Sequence, residues 1–155
     1  EPNGYADDAL DAWADRAGGT SGALWGAMLR ELGDAFGDSD APTPATVAAG
    51  VSAALARVQA VGKAETGDKT MVDAIVPFAE TLARETTAGA SLDRAWAAAA
   101  DAATAAADAT ADLLPRLGRA RPHAEKSLGT PDAGARSFAL IATAVAGVLT
   151  RGGNE

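Results

Sequence analysis

Alanine dominates this 155-residue chain, which contains 42 alanines against two isoleucines and only 5% aromatic residues. Strands draw on β-branched and aromatic side chains, whereas alanine has the highest helix propensity of any residue. A chain of this length is typical of one domain with one core. We therefore expect a single all-α domain over residues 1–155, an antiparallel helical bundle or barrel of about five to seven amphipathic helices.

Charge and cysteine content exclude several functional classes. The formal net charge is -8, from 21 acidic residues against 13 lysines and arginines, which argues against a nucleic-acid or membrane surface because both recruit clustered cations. Without cysteine there is no disulfide, thiolate catalysis or cysteine-ligated metal. The longest apolar stretch, Phe138 to Leu149, falls short of the roughly 20 residues that span a bilayer, and no secretory signal pattern opens the sequence. We expect a soluble, cytoplasmic protein.

Apolar residues recur at three- and four-residue spacing along most of the chain, which is typical of amphipathic helices. Thr43 followed by Pro44 has the residue types of a helix start, and Pro77 should kink the helix that contains it. The expected helices occupy about residues 5–15, 20–32, 44–58, 70–82, 91–114 and 133–150. In the last of them the expected buried stripe is Phe138, Ile141, Val145 and Leu149.

Four aspartates in the segment 91–114 fall within about one quarter of the helix circumference at roughly 100° per residue. They are Asp93, Asp101, Asp108 and Asp112. A carboxylate cluster for a metal ion is one interpretation, but a solvated face is favoured, because outward charge at helical spacing is the usual pattern. The alanines on the opposite side would let a neighbouring helix approach closely.

Three glycine-containing segments interrupt the helices, and the first reads GGTSG over residues 18–22. Glycines let the backbone approach an anion, and the first turn of a helix offers free N–H groups at the positive end of its dipole. The hydroxyls of Thr20 and Ser21 would add donors. The segment therefore predicts either a phosphate-binding turn or a simple helix N-cap.

The second segment reads GKAETGDKTM over residues 62–71. Gly67 before Asp68 indicates a turn that leads into a helix, with Asp68 or Thr70 as the cap and two lysines nearby. A cap explains this segment adequately.

The third segment reads GRARPHAEKSLGTPDAG over residues 118–134. Loops of this length without structure of their own are uncommon in compact domains and are often functional. Because Arg119, Arg121 and Lys126 concentrate positive charge here in an otherwise acidic protein, we favour an anion-facing loop.

In this order the three segments resemble the motifs of the nucleotide-binding (L-type) domain of dihydroxyacetone kinases, over about residues 18–149. That family is all-helical and works with a separate dihydroxyacetone-binding domain or subunit. The resemblance implies a domain that binds ATP or ADP and presents it for phosphoryl transfer to dihydroxyacetone. ADP would alternatively stay bound as a coenzyme and be rephosphorylated by a phosphoprotein of the phosphotransferase system.

The resemblance also implies which residues bind the nucleotide. The GGTSG turn would hold the phosphates, the second motif would border the adenine and ribose, and the third would contact the nucleotide and close the pocket. The implied residues are Gly19, Thr20, Ser21, Gly62, Thr70, Met71, Arg119, Asp132, Ala133 and Gly134. Ala133 stands where the family has proline, which loosens the turn but keeps the neighbouring aspartate and glycine.

The sequence departs from the family upstream of GGTSG. Family members carry a Gly-Asp-Gly-Asp loop there, whose aspartates bind two magnesium ions, and residues 1–17 do not contain it. Phosphoryl transfer depends on metal to neutralise phosphate charge. We expect the chain to be the carboxy-terminal part of a longer kinase or subunit, with magnesium ligands on a segment not in this chain. The stretch 33–40 contains similar Gly-Asp pairs but reads as a polar connector.

His123 is the only histidine. A histidine in such a loop suggests acid–base work or a phospho-acceptor, but no helper residue lies near it in sequence, and we favour a surface-loop role. No residue is assigned a catalytic role. The alternative to a kinase domain is a non-catalytic helical module of the same ancestry that binds a partner or nucleotide for regulation.

Overall fold

Five α-helices account for most of the protein in the computed structural model, which describes residues 19–37, 41–117 and 121–152, without the side chains at 19, 20 and 121–123. The helices are α1 (Gly19–Phe36), α2 (Pro44–Gly62), α3 (Val72–Thr87), α4 (Leu92–Ala109) and α5 (Ala133–Gly152), with 3-10 segments at Thr110–Asp112 and Arg121–Ser127. No strand occurs in the described ranges, so the all-α prediction is confirmed. The helix expected at 5–15 lies outside them.

The chain divides into two compact units, Glu1–Lys63 and Ala64–Glu155. In the first unit α1 packs against α2. A glycine at position 50 permits this contact, since a Cβ built there would lie 3.0 Å from the Cβ of Ala35 and 3.2 Å from the ring of Phe36. Whether the two units form one domain, as the length predicts, stays a prediction.

The ends of α1 and α2 show how local sequence sets helix boundaries. The Oγ1 of Thr43 accepts the N–H of Thr46 at 3.1 Å, and Pro44 is the first helical residue, which confirms the predicted start of α2. The predicted connector at 33–40 is wrong in its first part, because α1 continues to Phe36 and Gly37 donates its N–H to the carbonyl of Gly33 at 3.1 Å.

In the second unit α4 packs against both α3 and α5. The ring of Phe78 contacts Trp96 and Phe138 edge to face, with centroid distances of 4.9 and 5.4 Å, a favourable geometry for aromatic pairs. The indole nitrogen of Trp96 donates to the carbonyl of Ala142 at 2.8 Å. One aromatic cluster thus joins α3, α4 and α5.

The two faces of α4 behave as the spacing predicts. Its inward positions are alanines that are completely shielded from solvent, namely Ala95, Ala99, Ala103 and Ala107. On the other side Asp101 and Asp108 are exposed and Asp93 is partly exposed. Alanine at each contact position shortens the distance at which neighbouring helices can pack, and the aspartates form a solvated face.

Two details of α3 and α5 differ from expectation. The helix α3 runs on through Pro77 and begins at Val72, slightly later than predicted. In α5 the buried face is Ala135, Phe138, Ala139 and Ala142. The prediction that Ile141 is buried is wrong, since it is 40% exposed. The contact of Phe138 with Phe78 and the hydrogen bond from Trp96 to the Ala142 carbonyl set the buried face of α5, and Ile141 lies beside that face.

Two helices are long and apolar enough to cross a membrane by length and composition alone. They are α2, with a mean hydropathy of 1.3, and α5, with 1.5, and the buried share of each is 33% and 22%. The search for an apolar stretch in the sequence missed them because alanines and glycines lengthen both helices, which contain few charged residues, Arg57 in α2 and Arg136 and Arg151 in α5. Core helices of soluble proteins meet the same criteria, so this is weak evidence for a span.

Candidate functional site

The loop that carries the second motif is shaped by the buried carboxylate of Asp73, on the first turn of α3. Its Oδ1 accepts the N–H of Gly67 at 2.6 Å, and its Oδ2 accepts the N–H of Thr70 at 2.8 Å. Gly67 has a φ of +97°, in the left-handed region that glycine adopts without strain. Of the two predicted caps, Asp68 is not used, because its side chain accepts the N–H of Glu65 within the loop, whereas the Oγ1 of Thr70 accepts the N–H of Val72, the first residue of α3, at 3.2 Å.

Lys69 lies in the same loop and is buried, with 5% of its surface exposed. Its Nζ donates to the carbonyl oxygen of Ser127 at 2.7 Å and lies 3.3 Å from the Oγ of that serine. Ser127 belongs to the third motif, 58 residues further along the chain. The side chain of Lys69 therefore connects the second and third motifs.

The third motif is anchored to the end of α4. Gly129 donates its N–H to the carbonyl of Ala111 at 2.9 Å. Asp132 donates its N–H to the Oγ1 of Thr110 at 2.7 Å, and that hydroxyl donates in turn to the carbonyl of Ala107 at 2.6 Å. The buried hydroxyl of Thr110 thus fixes where the loop ends and α5 begins.

Asp132 caps α5 and lies in a mixed electrostatic environment. Its Oδ2 accepts the N–H of Ala135 at 2.8 Å. Burial raises the pKa of its carboxyl above the usual value, and the nearby charge of Asp73 raises it as well, while the N–H groups at the start of α5 and the Lys69 ammonium lower it. A carboxylate, a buried ammonium and a helix N-terminus are therefore grouped where the two motifs meet.

Gly134 lies in close contact with the second motif. A Cβ built at this position would lie 3.1 Å from Oδ2 of Asp132 and 3.4 Å from the Cβ of Met71. The absence of a side chain at 134 lets α5 begin directly against the second motif. Met71 is buried at this contact, with 4% of its surface exposed.

The residues of the first motif lie in the first unit. The helix α1 begins at Gly19, so the motif forms its first turn, and Ser21 is exposed there. The side chain of Thr20 lies outside the described part. Gly62 ends α2, and a Cβ at this position would lie 3.3 Å from a methyl group of Leu24, so α1 and α2 pack closely here.

Four of the ten residues implied by the resemblance come together in the second unit: Thr70, Met71, Asp132 and Gly134. Ala133 is exposed on the first turn of α5. Arg119 lies outside the described residues, and so do the side chains of Arg121 and His123.

Three residues that shape this site were not predicted from the sequence. They are Lys69, which is buried, Asp73, whose carboxylate accepts two N–H groups, and Thr110, whose hydroxyl bonds to Asp132. Each is polar and at least nine-tenths buried, and a buried polar group is usually fully hydrogen-bonded. Only Asp73 could have been found from local sequence, because an acidic residue three positions after Thr70 at a helix start fits the capping-box pattern. The partners of Lys69 and Thr110 are 58 and 22 residues distant.

Comparison with known proteins shows the family of this chain. Residues 1–147 match the DAK2 domain. The chain belongs to the DAK2 domain family. The resemblance inferred from the three motifs is thereby confirmed.

Several curated proteins contain a similar DAK2 domain. L-erythrulose kinase of Pectobacterium atrosepticum is 57% identical over 141 residues, which are 91% of this chain and 24% of that enzyme. D-erythrulose kinase of Mycolicibacterium smegmatis is 55% identical over 139 residues, 90% of this chain and 24% of that enzyme. The ADP-binding subunit DhaL of PEP-dependent dihydroxyacetone kinase 2 from Listeria innocua is 34% identical over 127 residues, 81% of this chain and 58% of that subunit. This DAK2 domain thus spans about a quarter of the two erythrulose kinases.

The described residues of the DAK2 domain do not offer a magnesium site. Within residues 19–37, 41–117 and 121–152 no group of three or more histidine, aspartate or glutamate side chains is arranged to hold a metal ion. Asp73 uses its oxygens on backbone N–H groups. No chemical step through magnesium is therefore assigned to these residues.

Proposed function

We propose that this DAK2 domain binds ADP or ATP and presents the nucleotide for phosphoryl transfer to a short keto sugar held by another domain or subunit. The observation that carries the proposal is the contact between the second and third motifs, which brings Met71 against Gly134. The resemblance assigns both motifs to one nucleotide pocket, and a relative at 34% identity is named as an ADP-binding subunit. A cytoplasmic location is part of the proposal, since nucleotides are available there.

Each motif has a distinct role in the proposed site. Backbone N–H groups and hydroxyls at the start of α1 would bind the phosphates, because a helix N-terminus favours anions. The apolar side chain of Met71 would lie against the adenine, and Asp132 would fix the turn that closes the pocket. The full set of proposed nucleotide-binding residues is Gly19, Thr20, Ser21, Gly62, Thr70, Met71, Arg119, Asp132, Ala133 and Gly134.

The proposed role of the domain is to position the nucleotide and neutralise part of its charge. Both effects lower the barrier to phosphoryl transfer when the acceptor is held in line. Relatives above 50% identity are named for L- and D-erythrulose, and DhaL for dihydroxyacetone. We therefore propose a three- or four-carbon keto sugar as the acceptor, chosen by the partner domain or subunit, and either ATP or a phosphoprotein as the phosphate source.

A calorimetric titration with ADP, with and without magnesium, tests the proposal. Binding is expected, and a complete kinase half-site predicts that it strengthens with magnesium because the metal neutralises the diphosphate. The double variant Thr20→Ala with Ser21→Ala should weaken binding without lowering stability. Thr43→Ala is the matched control, since it removes a true cap and should cost about 1 kcal/mol of stability while ADP affinity stays the same. No binding at millimolar ADP sinks the proposal.

A regulatory or partner-binding module is the second candidate. It is favoured by the absence of a Gly-Asp-Gly-Asp pattern from residues 1–17. Such a module would bind ADP without any dependence on magnesium, or would not bind it. The same titration therefore separates the two functions.

A further inference from the structure

Lys69 occupies an unusual position for a lysine. Its side chain is 95% shielded from solvent, since only 5% of its surface is exposed, and lysines are rarely so buried unless their charge is compensated. Its ammonium donates to a backbone carbonyl and lies near a hydroxyl, both of Ser127. These contacts reach from the second motif to the third.

The backbone of Lys69 is also strained. Its φ of +61° lies in the left-handed region, which costs a residue with a Cβ more than it costs glycine. Such conformations persist where the surrounding structure over-determines them. Here the neighbouring N–H of Thr70 is held by Asp73 on one side, and the side chain of Lys69 is held by Ser127 on the other.

The two motifs have a second, weaker connection through the backbone. Arg116, which precedes the third motif, donates its N–H to the carbonyl of Asp68 at 3.1 Å. That bond lies before the loop 118–134, and the end of the loop is held on α4 by the bonds of Gly129 and Asp132. The bond from Lys69 reaches Ser127, five residues before Asp132, and so acts on the part of the loop that meets Met71.

We propose that Lys69 is a positioning residue for the nucleotide pocket: its ammonium holds the third-motif loop at Ser127 and thereby sets the place of Asp132 and Gly134 against Met71. This inference rests on the proposed nucleotide-binding function. Lys69 does not touch the nucleotide in this scheme. It acts through the two loops that do.

The charge of Lys69 also fits this position. Asp73 and Asp132 face the same region, one from the start of α3 and the other from the start of α5. The Lys69 ammonium lowers the pKa of the Asp132 carboxyl, which the charge of Asp73 raises, so this buried cation offsets part of the repulsion between the two carboxylates. Loss of the ammonium therefore weakens the contact between the second and third motifs in two ways. The hydrogen bond to Ser127 is lost, and the repulsion between Asp73 and Asp132 is no longer offset.

Two substitutions at 69 separate the side-chain bond from the backbone turn. Lys69→Met keeps the length of the side chain but removes the ammonium, and Lys69→Gly relieves the left-handed strain but removes the whole side chain. We expect each to weaken ADP affinity about tenfold or more, the usual effect of losing a hydrogen bond to a charged group. Lys69→Arg, which keeps a charged donor, should restore part of the affinity.

Lys63→Met is the matched control. Lys63 lies at the other end of the same loop, also has a positive φ of 52° and carries the same charge, but it is exposed. ADP affinity should be unchanged in this variant. If Lys69→Gly binds ADP as tightly as the unaltered chain, or if Lys63→Met loses as much affinity as Lys69→Met, the proposal is overturned.

Hydrogen exchange of the free chain tests the loop connection without nucleotide. Lys69→Met should speed exchange in residues 64–71 and 124–131 and leave α4 protected, whereas Lys63→Met should leave the third-motif loop unchanged. Equal acceleration in α4 would show a general folding defect and contradict the inference. Failure of the unaltered chain to bind ADP would sink the proposed function, and the exchange result would still decide whether Lys69 holds the two loops together.

Discussion

The Oγ1 of Thr110 accepts the backbone N–H of Asp132 at 2.7 Å. The same hydroxyl donates to the carbonyl of Ala107, so one side chain satisfies two backbone groups and joins the end of α4 to the start of α5. Thr110 is 1% exposed, and water cannot replace either bond. The third motif therefore depends on a residue outside it.

Replacing Thr110 by valine should lower the free energy of unfolding by about 1–3 kcal/mol, because the N–H of Asp132 is left buried without an acceptor. Urea denaturation measures this change. Thr104→Val is the control, since its hydroxyl also bonds within α4, to the carbonyl of Ala100 at 2.9 Å, but its side chain is exposed. Equal losses in both variants would contradict the special role of Thr110.

A Gly134→Ala substitution should weaken ADP binding. The new methyl group would lie 3.1 Å from Oδ2 of Asp132 and 3.4 Å from the Cβ of Met71, so the Asp132 carboxylate, which caps α5 at Ala135, must shift at the edge of the pocket. Gly147→Ala, further along α5, meets nothing closer than 3.7 Å, at Arg151, and should raise stability by about 0.5–1 kcal/mol without changing affinity. Calorimetry and thermal unfolding measure both effects. Unchanged affinity in Gly134→Ala would show that the close contact does not shape the pocket.

Asp132 should make stability depend on pH in a specific direction. The pKa of its carboxyl in the folded state is raised above the ordinary aspartate value of 3.8, chiefly by burial, so the folded state binds a proton more tightly than the unfolded state does. Its contribution to stability is therefore fully present below 3.8 and is lost as pH rises through the raised pKa. Asp132→Asn keeps a capping oxygen for Ala135 and removes the titration.

The free energy of unfolding of Asp132→Asn, compared with that of the unaltered chain, should therefore increase as the pH rises from 3.8 through the raised pKa of Asp132. Urea denaturation at pH values on both sides of it measures the difference. A difference that stays constant with pH would mean that the carboxyl has the same pKa in the folded and unfolded states.

An Ala103→Leu substitution should cost about 1–3 kcal/mol of stability or more, because the inward face of α4 has no room for additional carbons. Ala103 is fully buried, whereas Ala105, two residues later, is exposed. Ala105→Leu is the control and should have little effect, since leucine and alanine are both good helix formers. Chemical denaturation distinguishes them. Similar stabilities would show that α4 is loosely packed.

Local patterns predicted the helices and the two faces of α4 because charge and apolar spacing repeat every turn. The same patterns failed in α5, where Ile141 is exposed and Ala142 is buried. In a helix rich in alanine, side-chain size rather than hydrophobicity decides which face packs against an alanine-lined neighbour. That choice depends on the partner helix and cannot be read from α5 alone.

The motifs predicted which residues meet, but not what holds them together. Met71, Asp132 and Gly134 were named from the sequence and do lie together. The sequence placed Lys69 only near a turn, and nothing within the loop indicates that its amine reaches Ser127. Hydrogen bonds between distant segments have no sequence period, so only the folded chain shows them.

The inward face of α4 restricts how this domain can change over time. Its contact positions, such as Ala99 and Ala103, already carry the smallest side chain that supports a helix. Removing atoms leaves only glycine, which destabilises the helix, and adding atoms pushes α3 and α5 apart. Substitutions that alter ligand preference must therefore accumulate in the loops, while the spacing of these three helices is inherited almost unchanged.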